Sequence, residues 1–273
     1  SMNYIEVCIE TSGLPEILPE ILLANLSELG FDSFVEESAQ LKAYIPVASF
    51  NKAETDNLLQ PYFIEYTVRE IADKNWNAEW EENFKPVLIA DKLFIRAAFH
   101  SPHEKAAIDV IIEPKMSFGT GHHETTSQMC ELIMKYPHQG KKVLDMGSGT
   151  GILAIVAAKL GAASVCAVDT DEWAFNNIRE NIQLNHVEGI TPLMGDVSVV
   201  PVAKYDIIYA NINLNVLKND IPKYTGMLKK NGLLFLSGFY ESDMEQILNV
   251  CKTTGLNVKE QISARQWVAC VFA

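Results

Sequence analysis

Residues 143–151 read Val-Leu-Asp-Met-Gly-Ser-Gly-Thr-Gly: an apolar run breaks into a glycine turn, and Asp145 stands two residues before the first glycine. A helical stretch over 152–160 follows, then a second apolar run at 165–168 that ends on Asp169. Strand, glycine turn, helix and strand in that order predict a βαβ nucleoside-binding unit. Gly147 and Gly149 let the backbone pass close to a ligand, where any Cβ would collide with it.

The glycines alone do not choose the ligand, because nicotinamide and flavin dinucleotide proteins share them. The carboxylates do choose. A pyrophosphate belongs on a helix N-terminus with no anion beside it. Here Asp145 ends the first strand, Asp169 the second, and Gly195-Asp196 follows a third apolar run at 190–194. Three carboxylates at one edge of a parallel sheet repel a pyrophosphate. They suit S-adenosyl-L-methionine, which has no phosphate and carries an ammonium and a sulfonium. On this reading Asp145 lies near the methionine end, Asp169 takes the ribose hydroxyls, and Asp196 accepts from the adenine amine. The alternative is that Asp145 and Asp196 merely cap the helices after them.

Composition sets the outer bounds. The chain has 273 residues, of which 48% are hydrophobic, ample for a packed core in one large or two modest domains. Its five cysteines are scattered, odd in number and without metal spacing, which favours reduced thiols in a cytoplasm. No apolar run reaches membrane-spanning length, no basic-then-apolar leader opens the chain, and Ser1 before Met2 reads as an expression-tag scar. The net charge of -13 is uneven: residues 1–70 hold 3 Lys+Arg and 12 Asp+Glu, or -9, against -3 over 71–137 and -1 over the rest. Such a surface repels nucleic acid and attracts a basic partner, unless it serves only solubility.

Patterning over residues 1–70 gives the order βαββαβ: strands at 4–10, 31–36, 41–45 and 63–68, helices at 15–29 and 48–59. That order predicts a small α+β ferredoxin-like domain. Residues 71–86 are polar with Trp76, Trp80 and Phe84 at four-residue steps, the pattern of a linker helix packing one aromatic face. From 87 to 273 strand-like pieces at 92–98 and 107–112 lead into alternating helices and strands, ending at 267–272. The alternation predicts an α/β, doubly wound, mostly parallel sheet.

Two further motifs flank the glycine turn. Residues 117–126 read Ser-Phe-Gly-Thr-Gly-His-His-Glu-Thr-Thr, a polar loop able to fold over a cofactor, with Thr126 offering it a hydroxyl. His122, His123 and Glu124 suggest a metal only weakly, since adjacent side chains diverge and no further Cys/His cluster completes a site. Residues 206–217 contain Ala-Asn-Ile at the end of a fourth strand, where Asn211 can hold an amine by its side-chain carbonyl or cap the following helix. Together these residues point to in-line transfer of a methyl group from a sulfonium to an amine. The catalytic contribution is alignment rather than acid-base chemistry.

The motifs resemble the bacterial methyltransferases of large-subunit ribosomal protein L-eleven, the PrmA type. The resemblance covers nearly the whole chain: residues 73–86 with Trp76, Trp80, Phe84 and Pro86, Phe118-Gly119-Thr120-Gly121 through Thr125-Thr126, residues 144–151, Ala210-Asn211-Ile212, Ser237-Gly238 and Trp267. It implies a class I methyltransferase domain with a Rossmann-like sheet over 87–273, behind a substrate-recognition domain over 1–70. It implies methylation of the substrate's N-terminal α-amine and lysine side chains, and cofactor contacts from Thr126, Gly147, Asp169 and Asn211, with Asn211 also the catalytic residue. Gly149, Asp145 and Asp196 join that set from their place in the sheet. The expected partner is the basic ribosomal protein, with no direct nucleic acid or membrane binding and a monomeric chain.

Where the family has leucine and alanine after Ala-Asn-Ile, this chain has Asn213 and Leu214, a change at the amine pocket. Two rival readings are a methyltransferase acting on another protein or a nucleic acid base, and a cofactor sensor without catalysis. A base-modifying enzyme needs an aromatic platform beside the asparagine, and Ile212-Asn213-Leu214 supplies none.

Overall fold

The computed structural model describes residues 3–37, 39–71, 84–113 and 119–273. They form two compact units, Ser1–Phe84 and Lys85–Ala273.

The first unit runs β1 (Tyr4–Glu10), α1 (Leu18–Glu28), β2 (Ser33–Glu37), β3 (Gln40–Pro46), α2 (Lys52–Leu59) and β4 (Tyr66–Ile71). Its antiparallel sheet has the order β2-β3-β1-β4, so the two helices connect strands of a ferredoxin-like layer. The period-two alternation of β1 sends Ile5, Val7 and Ile9 into a core with Leu22, Leu26, Leu41 and Ile45. Several boundaries differ by a few residues from the sequence expectation, and two of them have a local cause. The second helix begins at Lys52 rather than 48, because the Asn51 side chain accepts from the Ala53 and Glu54 amides and caps it there. The last strand begins at Tyr66 rather than 63, because Phe63 is left-handed at φ 56° and breaks the extended run. The expected linker helix over 71–86 falls mostly on residues outside those described; Ile71 itself closes β4.

The second unit opens with a three-stranded sheet of β5 (Val87–Ile89), β6 (Leu93–Arg96) and β7 (Ile108–Ile111). It continues through α3 (Glu124–Lys135), β8 (Lys142–Met146), α4 (Ile152–Lys159), β9 (Ser164–Asp169), α5 (Glu172–Leu184), β10 (Ile190–Met194) and β11 (Tyr205–Asn211). Then come α6 (Leu214–Met227), β12 (Leu228–Tyr240), α7 (Met244–Thr253), β13 (Val258–Ala264) and β14 (Trp267–Phe272). One seven-stranded sheet has the order β10-β9-β8-β11-β12-β14-β13, in which the β12-β14 and β14-β13 pairs are antiparallel and the others parallel. Along β8, Val143 packs into one core with Met129, Leu132 and Ala154, and Leu144 into the other with Leu217, Ile221 and Ile247. The chain winds from β8 out to β10, then restarts on the other side of β8 at β11. A switch point therefore opens at the carboxyl ends of β8 and β11, where ligands bind in such sheets.

Candidate active site

Strand register assembles the site. Met146 pairs with Val168 on one side and Ala210 on the other, so the next residue of each strand, Gly147, Asp169 and Asn211, meet at the carboxyl edge. Met194 pairs with Asp169, which brings Gly195-Asp196 to the same edge. The Asp169 carboxylate accepts from the Gly149 amide at 2.8 Å and from the Asp171 amide at 3.0 Å. Gly147 has φ +71°, and a Cβ there would overlap the Ile212 Cγ2 methyl. Gly238 presses on Ile212 from the opposite side, where a Cβ would overlap its carbonyl oxygen. The Ala210-Asn211-Ile212 segment is thus held between two backbones that only glycine brings so near.

A cavity of about 320 Å³ lies at this edge, walled by Gly147, Gly149, Asp169, Asp196 and Asn211 from the predicted set. Asp171 and Asp220 add two more carboxylates, and among the described residues no lysine or arginine lines it. Such a wall opposes a phosphate and favours a cation. Asp196 does two jobs. Its carboxylate accepts from the Ser198 amide at 2.8 Å, which caps the short turn Val197–Val199, and the bond to Ser198 holds its pKa below the usual carboxylate value.

Asp145 and Thr126 do not line this cavity. Side chains alternate along β8, so Met146 takes the cavity face and Asp145 points into the opposite layer, fully buried. Neither oxygen of Asp145 makes a hydrogen bond of standard geometry, and the Ala154 amide in the first turn of α4 is a weak tie to the helix after it. Burial, reinforced by the charge of Asp169, pushes its pKa up to about 7 against the opposing pull of the Ala154 amide. Thr126 stands on the first turn of α3, buried, its hydroxyl unpartnered. Asn211 is not the cap of α6; that role falls to Asn213, whose side chain accepts from the Val216 amide at 3.1 Å. The departure from the family pattern at this position therefore has a local structural use.

A second cavity of about 230 Å³ shares Asn211, Ile212 and Asn213 with the first and is closed by His123, Thr125, Gly238 and Trp267. His123 caps α3 by accepting from the Thr125 amide, and its ring meets Trp267 edge-on at 4.8 Å. Sequence reasoning gave Trp267 and Gly238 no role. They lie far along the chain from Thr125, and only the pairing of β14 with β12 brings them here. His122 turns away: its Nε2 donates to the Lys85 carbonyl at 2.7 Å, leaving Nδ1 to accept from the Thr120 hydroxyl at 2.8 Å. Among the described residues no group of three His, Cys, Asp or Glu side chains could hold a metal ion. No helix among them is long and apolar enough to cross a membrane.

Known proteins share this arrangement. The family model for ribosomal protein L11 methyltransferase (PrmA) matches residues 23–273. A ribosomal protein L11 methyltransferase of Phocaeicola vulgatus is 39% identical over 278 residues, covering 99% of each chain. Its counterpart in Porphyromonas gingivalis is 40% identical, covering 99% of this chain and 98% of that one. The crystal structure of the ribosomal protein L11 methylase from Lactobacillus delbrueckii subsp. bulgaricus superposes with a TM-score of 0.65 at 26% identity, over 70% of this chain and 98% of that chain. With a class I methyltransferase fold and relatives matched over nearly their whole length, this chain belongs to the ribosomal protein L11 methyltransferase (PrmA) family.

Proposed function

We propose that the protein transfers methyl groups from S-adenosyl-L-methionine to amines of large-subunit ribosomal protein L11, its N-terminal α-amine and lysine side chains. The observation that carries this reading is the shared wall: an aspartate-lined cavity without basic side chains meets a second cavity across Asn211, Ile212 and Asn213. When bound, S-adenosylmethionine supplies a methyl group on a cationic sulfonium. In the first cavity Asp169 accepts from the ribose hydroxyls, Asp196 accepts from the adenine amine, and Gly147 and Gly149 admit the methionine portion close to the backbone. Thr126 and Asp145 act from behind that wall. Asp145 contributes a compensating negative charge once it ionises.

In the second cavity Asn211 receives an N–H of the amine on its side-chain carbonyl, which leaves the nitrogen lone pair free to face the first cavity. The amine must be neutral. Deprotonation at pH 7 costs on the order of 4 kcal/mol for a lysine and about 1 kcal/mol for an α-amine. Removal from water between Trp267 and Ile212 lowers that cost, because desolvation disfavours the ammonium. Alignment of nucleophile, methyl and leaving sulfur provides the remaining acceleration.

The first seventy residues, at -9, form an acidic dock for a basic protein substrate. The same charge disfavours direct nucleic acid binding, and the proposed enzyme works as a cytoplasmic monomer. The whole reading is tested by incubating the protein with radiolabelled S-adenosylmethionine and purified large-subunit ribosomal proteins. Label is expected on L11; label on RNA or on another protein alone would replace this reading with the corresponding rival.

A further inference from the structure

Thr150 belongs to the glycine turn, yet its side chain faces away from the cofactor cavity. It is fully buried, and its hydroxyl donates to the Gly119 carbonyl at 2.5 Å. The Thr150 carbonyl accepts from the Asn181 amide nitrogen at 2.8 Å, and the Asn181 side-chain oxygen accepts from the Glu113 amide at 2.8 Å. Thr150 is therefore joined to Gly119 directly and to Glu113 through one side chain. From Gly119 the chain leads to His123 and Thr125, which wall the second cavity.

Asn181 is one of three buried asparagines at four-residue spacing, with Asn177 on α5 and Asn185 at its C-cap. Asn185 accepts from the Ile111 amide at 2.8 Å and donates to the Ile111 carbonyl at 2.6 Å. It does for β7 what a neighbouring strand would do, a purely structural service. Asn177 likewise donates to the Glu113 carbonyl at 3.1 Å. Asn181 differs, since it joins the Glu113 backbone to the carbonyl of Thr150 in the glycine turn.

We propose that Thr150, held at its carbonyl by Asn181, is a positioning residue whose hydroxyl locks the segment beginning at Gly119 to the cofactor turn and so keeps the acceptor amine in line with the methyl donor. This rests on the second cavity being the amine side of the site. Loss of one such hydrogen bond leaves the turn's cavity wall intact but frees the acceptor wall. Methyl transfer then suffers more than cofactor binding.

The test compares Thr150→Val, which keeps the shape and removes the hydroxyl, with Thr150→Ser, which restores it. Three quantities are measured: calorimetric affinity for S-adenosylhomocysteine, kcat and KM for L11 methylation, and hydrogen exchange of residues 119–123 with and without S-adenosylhomocysteine. For Thr150→Val the expected result is kcat/KM about tenfold lower with affinity within about threefold, and recovery in Thr150→Ser. In wild type and Thr150→Ser the product slows exchange over 119–123, and in Thr150→Val it does not. Equal protection in Thr150→Val and wild type, no protection in wild type, or parallel losses in affinity and turnover would each overturn the proposal. If exchange responds as expected while kcat/KM is unmoved, the coupling stands and the assignment of the second cavity to the amine fails. Thr150→Ala also removes the hydroxyl, with less bulk, so it carries the same test should Thr150→Val not fold.

Discussion

The carboxylate of Asp169, at the end of β9, accepts the amide of Gly149 in the turn after β8 at 2.8 Å. One side chain therefore both shapes the glycine turn and lines the cavity beneath it. Asp169→Ala should weaken binding of S-adenosylhomocysteine by about 1 to 3 kcal/mol, the scale of lost hydrogen bonds to a charged group. Isothermal titration calorimetry measures it. An unchanged affinity would remove Asp169 from the cofactor site.

Asp145 predicts an unusual pH dependence. Its pKa is raised from 3.8 to about 7, so the folded protein keeps a proton that the unfolded chain releases. Stability is then highest at the acid end of this window and falls as pH rises toward 7, by at most about 1.4 kcal/mol per pH unit. The groups whose charges act on it or feel it, Asp169, Cys130, Cys166 and Tyr209, are all acids, and none offers a compensating cation. In thermal melts between about pH 5 and pH 8, Asp145→Asn should gain stability relative to wild type as pH rises, because it has no proton to lose. A constant difference across that range would mean that Asp145 is ionised throughout.

The same carboxyl links pH to ligand charge. A sulfonium favours ionised Asp145, and the neutral sulfur of S-adenosylhomocysteine does not. Affinity for a non-reacting sulfonium analogue such as sinefungin's charged amine should therefore strengthen with pH over the same window more steeply than that for S-adenosylhomocysteine. Parallel pH profiles for the two ligands would dissociate Asp145 from the charged end of the cofactor.

Gly238 holds Ile212 against the site. Its φ of +98° is disfavoured for any side chain, and an added Cβ would strike the Ile212 carbonyl backbone, which cannot rotate aside. Gly238→Ala should lower kcat by at least about tenfold and destabilise the fold by about 1 to 3 kcal/mol. Steady-state kinetics and chemical denaturation read the two effects. Full activity would show that the Asn211 segment tolerates displacement.

The acidic first unit should act on association and not on chemistry. Glu16, Glu20 and Glu36 are exposed there. Replacing all three with glutamine should raise KM for L11 and flatten its rise with ionic strength, with kcat unchanged. A KM independent of both substitutions and salt would return the negative charge to a role in solubility.

The sequence carried the wall of the first cavity because that wall is local. Gly147 and Gly149 follow a strand within one βαβ unit, and Asp169, Asp196 and Asn211 each end a strand that apolar patterning locates. Parallel strands in register then place those ends together without further information. Alternation along β8 also governed Asp145, whose position in the motif drew attention to it but whose side chain the pleat turns into the other layer. Asn213 shows the converse: as a departure from a family pattern it looked like a change in substrate, and the structure gives it the cap of α6.

What the sequence by itself determined was the fold class and the strand ends that meet at one carboxylate-walled cavity, because those follow from local periodicity and from parallel register. The tertiary structure decided the second cavity. His123 and Thr125 reach Trp267 and Gly238 only through the pairing of β14 with β12, and Thr150 reaches Gly119 through its own hydroxyl and Glu113 through Asn181 of α5. Contacts between residues so far apart in the chain leave no periodic trace in it, since they depend on how whole layers meet.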